Sequence, residues 1–182
     1  MSFDAVSGTR GRRVTTIGGP VGRWMTQLVV SGIRRTGKVP ILGFNAVALT
    51  TTGARSGLRR TTPVGLFPGE DGSWLIVASA AGGRKNPAWY HNLAAHPGQV
   101  QIEAAGQMTA VVAEQLRGAE RDQAWQQITT AAPRYAKDAA KTDRKLPIIR
   151  LVARTDHPAG HEPDSTRHGG VPCNPADRKP SP

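Results

Sequence analysis

The sequence predicts a mainly β, α+β domain: a small antiparallel barrel of about six strands with helices inserted in its connections. Three observations carry this. Short runs rich in Val, Ile, Thr and Leu are bounded by glycine- and proline-marked turns. The helical patterns fall in the connections between about six strands. There is no internal repeat, and a glycine-containing corner suits a closed antiparallel sheet.

Taken in order, residues 1–20 are rich in Gly, Ser, Thr and Arg and lack any period, which reads as a flexible basic arm. From Val21 to Arg35 the apolar Trp24, Met25, Leu28, Val29 and Ile33 recur at three- and four-residue steps, predicting an amphipathic helix. Its apolar stripe suits docking on the barrel, and its tryptophan and flanking arginines also suit an anionic membrane surface. Ala46–Thr52 is the first strand, ending at the glycine-pinched turn Gly53–Gly57. Thr61–Phe67 is the second, with Pro63 marking an edge or a bulge. Pro68–Gly72 turns the chain into the buried strand Ser73–Ser79. Asn86 as N-cap and Pro87 in the first turn open a helix that reaches about Ala95. Val100–Glu103 and Gln107–Gln115 form a hairpin, helices follow over Glu120–Thr130 and Tyr135–Lys141, and Leu146–Val152 is the last strand. The organisation is therefore an arm (1–20), one domain (21–154) and a disordered tail (155–182) that holds six of the 14 prolines and three of the five histidines.

Composition bounds the function. At 182 residues and 38% hydrophobic content the chain is an ordinary globular domain. Its single cysteine, Cys173, allows no intrachain disulfide, which fits a reducing cytoplasm. No segment supplies the roughly 20 apolar residues of a membrane span. The Arg12-Arg13 pair is followed by no apolar h-region, so an export signal is not expected. Of the formal charge of +11, residues 1–60 supply +9, from ten Lys/Arg against Asp4. Such a bias suits solubility, an anionic membrane surface, nucleic acid or an anionic small molecule. Nucleic acid is disfavoured, because neither an exposed aromatic platform nor a recognition helix is present. His157, His161, His168 and Cys173 sit at loose spacings in the tail and make no metal site.

Two cassettes carry chemistry. In Leu49–Arg60, LTTTGARSGLRR, the side chains of Arg55, Arg59 and Arg60 lie on or just after a tight turn. Arginine grips phosphate as a planar fork, and Ser56 with the N–H groups near Gly53 and Gly57 adds donors. An exposed basic turn without a ligand is the plainer reading. In Ala78–Asn92, ASAAGGRKNPAWYHN, Ser79 ends a strand, a small-residue loop follows, and a helix begins where Arg84 and Lys85 add charge. Helix N-termini attract anions. Trp89 and Tyr90 suit either the wall of a flat ring or the core, and Asn92 lies on the same helix.

The ordered strings LTTTGxxSGxxR, Pro63, ASxxG and NPxWYxN resemble those of the deazaflavin-dependent nitroreductase and quinone reductase family, over roughly Ala46 to Arg154. The resemblance implies a split β-barrel that binds the 8-hydroxy-5-deazaflavin coenzyme F-420 and passes a hydride to a quinone-like or nitro-aromatic acceptor. It implies that Arg55 and Arg60 hold the cofactor's phosphate-containing tail; Ser56 on the same turn and Lys85 ahead of the helix are the further cofactor-binding candidates. Pro63, Ser79, Ala81 and Gly82 border the ring, while Trp89 and Asn92 lie in the supporting helix. Tyr135 matches a tyrosine at the substrate mouth, and Ser79 and Tyr135 are the candidate catalytic donors to an acceptor oxygen. Gly65, Ala132 and Asp138 stand where one branch of the family has tyrosines, and Ala80 where it has a basic residue, so the acceptor pocket differs. The cofactor does the hard step while the protein positions and excludes water, which is why few catalytic side chains stand out. Two rivals remain: a deazaflavin carrier or sensor without turnover, and an FMN-using split-barrel oxidoreductase. Cytoplasmic location is expected, peripheral on the inner membrane face if the Trp24 helix engages lipid.

Overall fold

The computed structural model describes residues 3–4, 7–12, 30–32, 39–41, 44–104 and 106–154. The expected tail and most of the expected Val21–Arg35 helix lie outside these residues; within that helix, residues 30–32 are helical and Val30 is buried.

Eight antiparallel strands form one sheet: β1 (Val39–Ile41), β2 (Phe44–Thr52), β3 (Arg59–Gly65), β4 (Phe67–Pro68), β5 (Trp74–Val77), β6 (Val100–Ala104), β7 (Gln107–Gln115) and β8 (Ile148–Ala153). The main order is β3-β2-β6-β7-β8-β5-β4, and β1 pairs with the start of β2 on the edge that β6 occupies further along. β3 lies against β5 without pairing to it, so the barrel is open along that seam. The expected split barrel is the observed fold. Beside the helical residues 30–32, the helices among the described residues are α1 (Ala88–Ala95), α2 (Gly118–Ala131) and α3 (Arg134–Ala140), with a 3-10 turn at Ala80–Gly82.

Alternation explains the two cores. On β5, Ile76 faces the barrel interior with Val47, Leu49, Ile149 and α1's Tyr90 and Leu93. Its neighbours Leu75 and Val77 face outward under α2 and α3, with Ile128, Tyr135 and Ile148. Successive strand side chains point to opposite faces, and both faces here are covered.

The sequence missed β1, a three-residue strand containing Pro40, too short for alternation to show. The strand expected over Thr61–Phe67 is two strands broken at Leu66. Pro63 does lie on an edge: among the described residues β3 pairs only with β2, with Pro63 opposite Ala48. Residues 7–12 of the expected flexible arm are tied down. The Asp143 carboxylate accepts from the Thr9 and Arg10 amides (3.0 and 3.1 Å) and the Thr9 hydroxyl. The amides of Gly8 and Arg12 donate to the carbonyls of Arg84 and Gly82 at 2.9 and 3.0 Å.

Candidate active site

The seam between β3 and β5 opens into a cavity of about 190 Å³. One wall is Pro63, Val64 and Gly65 of β3 with Ala46 of β2, and the other is Val77 and the Ser79–Ala81 loop. Pro87 and Trp89 close it from α1, Arg134 and Tyr135 from α3. Five of the expected site residues therefore meet in one place: Pro63, Ser79, Ala81, Trp89 and Tyr135. The walls are largely apolar and suit a flat ring, with a few polar groups to orient it.

The remaining site candidates lie outside this cavity. Arg55, Ser56 and Arg60 are exposed at the β2–β3 turn, where Gly57 takes φ 65° and its amide donates to Gly53 O at 2.9 Å. Arg60 is three strand residues from Pro63, about 10 Å at ~3.3 Å per residue. Arg59, on the same turn, hydrogen-bonds Gln101. Lys85 is exposed just ahead of α1. Asn92 acts from the far side: its Nδ2 donates to Thr51 Oγ1 and its Oδ1 accepts from the Ala54 amide, both at 3.0 Å. It braces the turn rather than lining the cavity. Gly82, at φ 77°, is buried against α3, where a Cβ would stand 2.7 Å from Asp138 O. It packs the loop onto the helix and forms no wall.

The loop is strained at the site. Ala80 and Ala81 take φ 46° and 51°, a region costing a non-glycine residue roughly 1–2 kcal/mol. Such strain collects at functional positions. Ser79 is in the right-handed region just before them, and its Oγ accepts from the Ala81 amide at 3.3 Å. A right-handed residue followed by a left-handed one turns successive N–H groups to one side, a concavity that suits anionic atoms. The Ala80 N–H has no acceptor among the described residues.

Tyr135 is nearly fully buried, its ring edge-on to Phe67 at 5.6 Å, and the Arg134 guanidinium lies 5.2 Å from its ring centre. Burial pushes its hydroxyl pKa above 10, so the phenol stays protonated at neutral pH and can donate. Of the positions where tyrosines are replaced, Gly65 lines the cavity and widens it, whereas Ala132 and Asp138 are buried elsewhere, Asp138 held by the Lys141 ammonium at 2.9 Å.

Sequence reasoning missed Arg144. It is 4% exposed, and all three of its nitrogens donate: Nε to Gly83 O (2.8 Å), Nη1 to Asn86 Oδ1 (2.7 Å), Nη2 to Ala78 O (2.9 Å) and Ser79 O (2.8 Å). This also corrects the reading of Asn86 as N-cap. α1 starts at Ala88 with Pro87 before it and no side-chain cap, because the Asn86 oxygen is taken by the guanidinium.

Residues 23–153 match the family model described as F420H(2)-dependent quinone reductase. The chain belongs to this family. It is an oxidoreductase, and its cofactor is the deazaflavin coenzyme F-420. An F420H(2)-dependent quinone reductase of Mycobacterium tuberculosis is 34% identical over 112 residues, covering 60% of this chain and 74% of the relative. Among solved structures, an F420-H2 dependent reductase aligns with a TM-score of 0.52 at 36% identity, over 58% of this chain and 92% of its own. A second, described as a domain-swapped dimer, aligns with a TM-score of 0.55 at 32% identity, over 72% and 92%. The enzyme's seam cavity fits the group: apolar walls for a ring, an Ala80 N–H without an acceptor among the described residues, and exposed arginines on the strand and turn beyond Pro63. Among the described residues no cluster of His, Cys, Asp or Glu could hold a metal, and no helix is long and apolar enough to cross a membrane.

Proposed function

We propose that the seam cavity holds the deazaflavin ring, with Arg55 and Arg60 on its anionic tail, and that the enzyme reduces a quinone-like acceptor there. The observation that carries this is the convergence of Pro63, Ser79, Ala81, Trp89 and Tyr135, 72 residues apart at the extremes, on one cavity. Reduced F-420, when bound, supplies a hydride. The protein's part is to bind, orient and exclude water. Apolar Pro63, Val64 and Trp89 flank the reactants, and Gly65 leaves room for the acceptor. As a hydride arrives, negative charge grows on the acceptor oxygen. Donors placed for that charge stabilise the transition state more than the ground state. Tyr135, kept protonated by burial, and the Ser79 hydroxyl, whose oxygen accepts from Ala81 and whose hydrogen is left to donate, are those donors. Arg134 adds a positive charge to the same wall. The wider pocket at Gly65 favours bulky quinones over the nitro-aromatic alternative.

Titration with oxidised F-420 beside FMN tests the cofactor site. Binding of F-420 in preference to FMN, weakened at least tenfold (about 1.4 kcal/mol) in the Arg55→Ala/Arg60→Ala double variant, supports the tail assignment; equal binding by the variant removes it. Steady-state quinone reduction then separates an enzyme from a carrier. Tyr135→Phe and Ser79→Ala are each expected to lower kcat by ten- to a thousandfold with little change in F-420 affinity. Unchanged turnover in both refutes their role. Peripheral attachment to the inner membrane face through Val21–Arg35 belongs to the same reading, and co-pelleting with anionic vesicles, with and without residues 1–35, tests it.

A further inference from the structure

The Ser79–Asn86 loop holds a conformation its own residues resist, with consecutive alanines in the left-handed region. Its local hydrogen bonds are few: Gly82 N to Ser79 O, Gly83 N to Ala80 O, and Ala81 N to Ser79 Oγ. Beside the arm's Gly8 and Arg12 amides on Arg84 O and Gly82 O, what holds it is Arg144, arriving from the segment between α3 and β8. One guanidinium spans the loop from Ala78 to Asn86, taking carbonyls at both ends and the Asn86 amide oxygen. Only a planar fork with five N–H groups reaches four acceptors in that arrangement.

The same side chain brings a buried charge. All four acceptors are neutral, and among the described residues Arg144 has no carboxylate partner. Burial lowers its pKa, yet an arginine keeps its proton wherever the protein is folded. Of the other charges facing the loop, Arg134 lines the same cavity from α3 and is kept in every variant tested below, and the rest are spent or solvated. Asp138 pairs with Lys141, Asp143 is turned to the Thr9 and Arg10 amides, and Arg10, Arg12, Arg84 and Lys85 are exposed. The Tyr90 hydroxyl donates to Asp4 O and Gln115 Oε1 and stays neutral.

We propose that Arg144 is the positioning residue of the cofactor loop. It clamps Ala78–Asn86 in its strained form, and it places an unneutralised positive charge behind the wall that meets the deazaflavin, favouring anionic forms of the bound ring. The inference rests on the seam cavity being the F-420 site.

The test uses the full chain, Arg144→Gln and Arg144→Lys, each checked for folding by circular dichroism. Hydrogen exchange without cofactor reads the clamp: amides of residues 79–86 should exchange at least tenfold faster in both variants, while β7 and β8 stay protected. Oxidised F-420 should bind at least tenfold more weakly to Arg144→Gln. The 8-hydroxyl of the coenzyme, followed by visible absorbance at saturation, should ionise at a measurably higher pH in Arg144→Gln, because removing a nearby positive charge disfavours the anion. In Arg144→Lys that ionisation should stay near wild type, because the charge is kept. A purely structural arginine would not separate Lys from Gln in this way. If Arg144→Gln does not fold, Arg144→Lys and Asn86→Ala carry the exchange and affinity tests, and Arg144→Lys beside Arg144→Met carries the titration. Folded variants with wild-type affinity and unmoved ionisation overturn the inference while the cofactor site stands. Failure of the wild-type chain itself to bind F-420 overturns the site and the inference together.

Discussion

Ala80 and Ala81 each carry a methyl where a hydrogen would suit the backbone better. Ala80→Gly is therefore expected to raise the unfolding free energy by up to about 1 kcal/mol, the relief of left-handed strain less the added chain entropy of glycine. Urea denaturation measures it, and a loss of stability would mean that the methyl's contacts outweigh the strain. Gly82→Ala acts oppositely. The new Cβ meets Asp138 O at 2.7 Å in a left-handed residue, and a loss of about 2 kcal/mol or more is expected in the same assay. At Asp143 the lever is pH. Hydrogen bonds from Thr9, with the Arg10 amide, hold its pKa below the usual 3.8, so arm docking is fully present above that value and is lost as pH falls through the lower folded pKa. Cleavage within residues 7–12 should hence be indifferent to pH between 5 and 8, and should rise at neutral pH in Asp143→Ala. None of these roles is written in local sequence. Arg144 sits in a connecting segment, KTDRKLP, and its acceptors lie 58 to 66 residues away. Hydrogen bonds of that span depend on the folded path, and arginine in a polar stretch reads as surface.

At the level of elements, Asn92 couples α1 to the β2–β3 turn through two 3.0 Å hydrogen bonds. Asn92→Ala removes both and leaves the part-buried Thr51 hydroxyl short of a donor, so a loss of roughly 1–3 kcal/mol is expected. F-420 affinity should fall with it, because the turn that carries Arg55 and Arg60 loses its brace. Wild-type affinity in a destabilised Asn92→Ala protein would detach the turn from the cofactor. The elements themselves were largely legible. β7 matches its expected bounds, and β2, β5, β6, α2 and α3 differ from theirs by one or two residues at an end, since alternation and helical spacing persist over each. The losses fell where pattern is shortest, at β1 and at the Leu66 break. Asn86 failed for another reason: an Asn-Pro pair is a good local start signal, but a buried guanidinium competes for the same oxygen and wins.

For the whole molecule, stability sits in the barrel, and the proposed cofactor cavity opens along its seam. Ile149 is fully buried where β8 crosses the interior, and Ile149→Ala should lower stability by about 2–5 kcal/mol. Met108, 61% exposed, should tolerate alanine within about 0.5 kcal/mol. A barrel closed all round would have no such cavity; leaving β3 and β5 unpaired exposes two edges and spends them on a pocket, with α1 and α3 covering what would otherwise invite strand addition. The docked arm has a practical corollary for handling the protein. Residues 8–12 run beside Gly82–Arg84, next to the pocket, whereas β8 leaves the Val77 end at Ile148 and runs to Ala153, about 17 Å further on. A purification tag or fluorophore at the start of the chain would pull on an arm whose Asp4 pairs with Arg117 and whose residues 8–12 hold Gly82–Arg84, so reporters and immobilisation handles belong beyond Arg154.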